Sequence, residues 1–217
     1  RLLVVVFLGT AAFSMQDVLL EPYGGEVLGL SVSATTLLTA AWAAGALAGF
    51  GLSARWLSQG RAPFRIAARG LLIGLLAFSA VIFAAPLNSA LLFFAGAALI
   101  GAGGGIFAVA TLTAAMDLSR DAAHRGLALG AWGAAQATAV GISIALGGGL
   151  KDLVTSLSGS GALGAGLSAP TTGYSFVYHT EIGLIFITLI ALGPLVRTSR
   201  HSSSNPIGRV GLADFPT

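Results

Sequence analysis

Residues 2–30 read LLVVVFLGTAAFSMQDVLLEPYGGEVLGL. The run through Ala12 is apolar. Then come Gln16, Asp17 and Glu21, with Pro22, Gly24 and Gly25 just beyond. A charged side chain at hydrocarbon depth costs about 2.5–3.5 kcal/mol on insertion scales. Two acids at the end of such a run therefore need a reason. Asp17 falls about 22 Å along a helix that starts at Leu2. That is past the midplane of a bilayer. Glu21 follows one turn later on the same face, and Pro22 is expected to end the helix before YGGE turns the chain.

The rest of the chain carries the same character. Of its 217 residues 55% are hydrophobic and 9% are charged. Soluble domains carry about a quarter charged residues. Mean hydropathy is +0.89. Too little polar surface exists to cover a globule in water, and long apolar runs recur throughout. There is no cysteine, which excludes disulfides, thiolate metal sites and cysteine nucleophiles. The chain opens at Arg1 and enters an apolar run at once, without the segments of a signal peptide. It reads as a piece of a longer protein.

A spanning helix needs about 20 mostly apolar residues. Six such stretches are present, at about 2–20, 35–57, 64–85, 90–115, 127–150 and 174–196. The expected fold is an all-α membrane protein with six transmembrane helices over 1–197. A polar tail, 198–217, is expected to be disordered. Residues Lys151–Thr172, rich in Gly, Ser and Ala, read as a flexible external loop. PLNS, 86–89, is a tight turn.

The arginines set the orientation. Arg55, Arg61, Arg65 and Arg69 flank the second link, and Arg120 and Arg125 flank the fourth. Arg1 precedes the first span, and Arg197, Arg200 and Arg209 follow the last. Only Lys151 falls on the other side. By the positive-inside rule both termini face the cytoplasm. The net charge of +3 is thus explained by lipid headgroups. Nucleic-acid binding would need a basic patch on a folded polar surface, and none is expected.

Glycines fill the fourth and fifth spans: Gly96, Gly101, Gly103, Gly104 and Gly105, then Gly126, Gly130, Gly133, Gly141 and Gly147–Gly149. Small residues at this spacing read as faces on which helices approach closely. GAGGG lacks the Lys-Ser/Thr ending of a phosphate loop.

The sixth span opens GYSFVYHTEIGLIF. Tyr174 reads as part of an interfacial aromatic belt. His179 lies deeper and is a hydrogen-bonded packing residue, a proton relay or an axial ligand to a tetrapyrrole metal. Glu181 lies beside it. Gln136, in the fifth span, is an interhelical hydrogen bond or a substrate contact, and packing is the simpler role. The cluster Asp117, Arg120, Asp121, His124 and Arg125 reads as a solvated loop, with a gating cluster as the alternative. No HExxH, GxSxG or paired-acid arrangement is present, so neither a catalytic set nor a resident metal site is expected.

Six spans with both ends inside resemble one half of a major facilitator superfamily fold, in which two six-span halves bind substrate between them. GLSARWLSQGRAPFR, 51–65, resembles that superfamily's cytoplasmic loop without its usual Asp. More specifically, FSMQDVLLEPYGGEVLGLSVSATTLLTAAWAAGALAGF, GAGGGIFAVATLTAAMDL, GLALGAWGAAQATAVG and GYSFVYHTEIGLIF resemble the PucC and LhaA family of photosynthetic bacteria. QDVLLEPYGG is the most distinctive piece, and the likeness covers about residues 5–197. The resemblance implies a light-harvesting complex assembly factor of the inner, intracytoplasmic photosynthetic membrane. It would not be an enzyme. Bacteriochlorophyll or a precursor would be its cargo, and antenna polypeptides and an absent N-terminal six-span half its partners. It further implies that Gln16, Asp17, Glu21, His179 and Glu181 line the outer end of the cavity between halves and, with Gln136 of the fifth span, contact pigment or partner. The alternative is a proton-coupled small-molecule transporter with Asp17 or Glu21 as proton carrier. Apolar midplanes, with Gln136, Thr111 and Thr113 as exceptions, favour an apolar cargo or a protein partner.

Overall fold

A computed structural model describes residues 1–118, 122–169 and 171–203. They form helices α1 (Leu2–Ser14), α2 (Leu20–Glu26), α3 (Val32–Ser58), α4 (Pro63–Ala84), α5 (Ala90–Asp117), α6 (Ala122–Gly159) and α7 (Thr172–Ser203). A 3₁₀ turn, Met15–Val18, joins α1 to α2, and the two together make one span. Among the described residues six helical segments are long and apolar enough to cross a membrane. The chain is a multi-pass membrane protein in contact with lipid.

The helix ends follow local chemistry. Ser31 caps α3 by accepting from the Ala34 N–H, and Ser89 caps α5 by accepting from the Leu92 N–H. Pro63 occupies the first turn of α4, where its missing N–H is harmless. Asn88, at φ 46°, turns the chain between α4 and α5.

Three boundaries differ from the sequence reading. Pro22 does not end the first helix; it lies in the first turn of α2. A proline cannot donate to the carbonyl four residues back, and its ring crowds that carbonyl. That carbonyl belongs to Val18, where the 3₁₀ turn ends. The break thus falls one turn before the proline. Secondly, Lys151–Gly159 is helix, because α6 continues beyond the apolar segment. At about 1.5 Å per residue α6 is roughly 57 Å long, well over a hydrocarbon core. Only 160–171 links α6 to α7. Thirdly, α7 continues to Ser203. The remaining tail, with Arg209, lies outside the described residues, as do Arg120 and Asp121 of the charged loop.

α5 is the central helix. It packs against α3 on one side and α4 on the other, while α1 packs against α6 and α7. Glycine allows both α5 contacts. A Cβ at Gly101 would collide with the Trp42 carbonyl oxygen, and one at Gly45 with the Ala98 carbonyl oxygen. Towards α4, a Cβ at Gly103 would lie 2.8 Å from the Gly70 carbonyl oxygen. The α5 glycines are thus a packing face, as their spacing suggests. Those of α6 are not, within this chain. Gly126, Gly130, Gly133, Gly141, Gly148 and Gly149 have nothing within 4 Å of an added Cβ; Gly147, against the Met15 carbonyl, is the exception.

This contrast yields a test. Gly101→Ala must push α3 from α5 and should cost about 1–3 kcal/mol, as overpacked cores do. Gly126→Ala should be neutral or stabilise by up to about 1 kcal/mol through helix propensity. Thermal unfolding in detergent, followed by helical circular dichroism, should separate the two. Equal effects would refute the close contact.

Candidate functional site

The polar residues of the first span sit where its helix is broken. In a 3₁₀ turn the backbone N–H groups lose their regular α partners. The Gln16 N–H is satisfied by Glu181 Oε1 of α7, at 2.8 Å. Gln16 Nε2 donates to the Phe13 carbonyl at 3.2 Å and to Asp17 Oδ1 at 2.7 Å. Gln16 and Glu181 are both buried. Three of their neighbouring polar atoms find no partner: Gln16 Oε1, Glu181 Oε2 and the Tyr178 hydroxyl.

Beside this lies an aromatic cluster. Tyr23 stands edge-on to Tyr174 and Tyr178, with centroids 5.3 and 5.5 Å away, and tilts against Phe93 at 5.3 Å. The Tyr174 hydroxyl donates to Glu26 Oε2 at 2.7 Å, and Lys151 Nζ lies 5.0 Å from the centre of its ring. Tyr174 is 1% exposed. It is therefore a core residue and not a member of an interfacial belt. A tyrosine can be buried this way when its hydroxyl has a partner.

On the other side of the turn, Asp17 opens into a cleft of about 290 Å³ between α1, α3, α5 and α6. Thr10, Ser14 and Asp17 line one wall, Trp42 and Phe50 another, and Gln136 a third. Gly101, Gly104 and Gly105 form the α5 side. The Thr10 hydroxyl is buried without a partner. Thr10, Ser14 and Trp42 were not singled out from the sequence. The signal was available: positions 10, 14 and 17 share one helical face. Asp17 and Glu21 also line a smaller pocket of about 200 Å³ with Gln16, Thr39 and Trp42. There the Thr39 hydroxyl donates to Glu21 Oε1, tying α2 to α3.

Thr111 and Thr113 are structural. Thr113 bonds back to the Val109 carbonyl. Thr111 bonds back to Phe107 and accepts from Trp132 Nε1 at 3.2 Å, linking α5 to α6.

His179 stands apart from all of these. It is exposed on α7, two residues from buried Glu181 and so on roughly the opposite side of the helix. Its Nδ1 lies 2.6 Å from the Ser175 carbonyl oxygen. A carbonyl only accepts, so Nδ1 carries the hydrogen, and in the neutral tautomer Nε2 is the nitrogen with the lone pair. The ring borders a groove of about 690 Å³ between α6 and α7, lined by Leu150, Leu153, Leu157, Leu163, Leu167 and Phe176. The six sequence-derived residues thus fall in four places. Gln16, Asp17 and Glu21 share the small pocket, Asp17 and Gln136 share the larger cleft, and Glu181 joins Gln16 inside the bundle. His179 faces a different groove. Among the described residues no group of three or more His, Asp or Glu side chains converges to hold a metal ion.

Comparison with known proteins places this arrangement in a family. The model of the PUCC protein family matches residues 1–200. A Rhodobacter capsulatus protein, described as uncharacterized and in the puhA-bchM intergenic region, is 57% identical over the whole chain. Protein PucC of Rhodovulum sulfidophilum is 52% identical over 71% of the chain. Protein PucC of Cereibacter sphaeroides is 44% identical over 91%. The matches cover 46%, 34% and 42% of those relatives respectively, so the chain spans less than half their length. No solved structure matches it. By the family match along nearly its whole length, the chain belongs to the PUCC protein family.

Proposed function

We propose that this chain is the C-terminal six-span half of a light-harvesting complex assembly factor of photosynthetic bacteria. It handles bacteriochlorophyll or a precursor and contacts nascent antenna polypeptides. Its termini face the cytoplasm, and it works in the photosynthetic inner membrane without being an enzyme. Family membership supports the setting. The observation that carries the pigment role is His179. Metal-ligating histidines almost always donate their other ring N–H to a carbonyl, carboxylate or water, and His179 does so to Ser175. Through Nε2, His179 would hold the magnesium of a bound tetrapyrrole. The leucine-lined groove suits the macrocycle, since ligand sites are mostly apolar clefts of roughly 300–1,000 Å³ with few polar groups.

The partner half is supported by what α3 and α6 leave uncovered. Ala40, Ala44 and Gly51 on α3, and Gly126, Gly130 and Gly141 on α6, are exposed. Small residues let helices meet closely in lipid. Both helices border the cleft that holds Asp17 and Gln136, which supports a seam with the other half there, in the manner of a major facilitator.

Two measurements check these roles. The full-length protein, purified gently from its native membrane, should carry bacteriochlorophyll or antenna polypeptides by absorption and mass analysis. His179→Ala should lower bound pigment by about tenfold or more. A colourless wild type without antenna subunits, or undiminished pigment in His179→Ala, would refute the assignment. Separately, Gly130→Leu should reduce co-purification of co-expressed halves and leave the helical signal of this half unchanged. Undiminished co-purification would remove α6 from the seam.

A further inference from the structure

Glu181 is a buried acid for which the pigment reading has no use. We propose that Glu181 and Gln16 form a proton-binding site, the proton riding on Glu181 Oε2, and that its release loosens α7 from the bend in the first span. This stands apart from the pigment reading, because His179 faces the other side of α7.

The argument rests on hydrogen-bond satisfaction. Glu181 is 0% exposed. Its Oε1 is held by the Gln16 N–H at 2.8 Å. Gln16 Nε2 is committed to Phe13 and Asp17, which fixes the amide orientation and leaves Gln16 Oε1 as a lone acceptor. The pair therefore presents two buried oxygens, Gln16 Oε1 and Glu181 Oε2, with no donor for either. A buried polar atom left unpaired is costly, and a buried unpaired charge more so. One proton on Oε2 removes the charge and supplies a donor.

Among the described residues no cation offers an alternative. The titratable groups around the site are Asp17 from the 3₁₀ turn, Tyr23 from α2, and Tyr174 and Tyr178 from α7. From α6, Lys151 is engaged with Asp152 at 3.4 Å and with the Tyr174 ring. The α4 and α5 residues packed on the tyrosines, Phe78, Val81 and Phe93, are apolar. Among the described residues no basic side chain pairs with Glu181.

The outlet lies on the Gln16 side. Gln16 also lines the small pocket with Asp17 and Glu21, and Asp17 is exposed. On release, the Oε2–H bond breaks and its proton passes to water or to the Asp17 carboxylate at that pocket. The electron pair stays on Glu181, and no other bond changes. The resulting carboxylate is stable only if it gains water, which requires α7 to part from the Met15–Val18 turn. That turn is already without regular helix bonds, so its own backbone loses little in the movement.

Infrared difference spectroscopy on the full-length protein in lipid nanodiscs tests this. The wild type should show a carbonyl band of a protonated carboxylic acid that shifts in D₂O and disappears as pH rises. Carbon-isotope-labelled glutamate should move that band. Glu181→Gln, a neutral mimic of the protonated acid, should lose it entirely, and Asp17→Asn should retain it. Exchange of the Gln16 amide should accelerate as the band is lost in the wild type and stay slow in Glu181→Gln. If Glu181→Gln does not fold, isotope shift and amide exchange in the wild type decide. No acid band, a band that survives in Glu181→Gln, or one that never changes with pH would overturn the proposal.

Discussion

The structure depends on how closely α5 approaches its two neighbours. Lipid tails are as apolar as leucine, so no hydrophobic force gathers helices inside a membrane; packing and hydrogen bonds must do it. α5 meets α3 through Gly101 and Gly105, and α4 through Gly103 and Gly96. The same helix thus has backbone contacts on two sides. This also shapes the cleft. Gly101, Gly104 and Gly105 form its α5 side, and a Cβ at Gly104 would meet the Phe13 ring at 3.5 Å. A bulkier α5 would separate α3 from it and fill the space beside Asp17.

Once the helices are that close, each polar group between them needs a partner. Most hydroxyls find one in their own helix. Ser79, Thr113, Thr180 and Thr188 each bond back to a carbonyl one turn earlier. Tyr174 uses Glu26. Against that background the unpaired atoms of Thr10, Gln16, Tyr178 and Glu181 form an exception. They lie along the first span and the α7 turn facing it. Buried polar groups without partners are rare in folded proteins, and inside a membrane they mark function more often than structure. The bend at Met15–Val18 is what brings three of them together: it frees the Gln16 N–H, and Glu181 answers it.

Hydropathy alone made the six helices legible, because about 20 apolar residues in a row have few other uses. What it could not show was which face of each helix is covered. The glycines of α5 and α6 look alike as sequence. Most of the first set touches neighbouring backbone, whereas in the second only Gly147 does, a difference decided by neighbours far away in the chain. Tyr174 fails for the same reason: belt and core tyrosines have one composition, and only Glu26, 148 residues away, separates them. Pro22 was read correctly as a breaker and placed wrongly, because its effect falls on the carbonyl four residues back. Asp17 and Glu21 were legible as one polar stripe, since helical spacing is local. The sequence reading groups His179 with Glu181, although the spacing alone separates them: two residues turn a helix by about 200°.

That split has a mechanical consequence. His179 and Glu181 are carried by one continuous stretch of α7, one exposed to the apolar groove and one buried against the bend. A rigid helix cannot release one face while holding the other still. If Glu181 parts from Gln16, the Ser175–His179 turn moves with it relative to Leu150 and Leu157 of α6. Occupancy of the groove and protonation of the interior therefore act on the same helix. By linkage, whatever either equilibrium does to the position of α7 is felt equally by the other. The coupling needs no chain of contacts between the sites, because the helix itself is the connection. Its sign depends on which position of α7 leaves the groove between α6 and α7 wider.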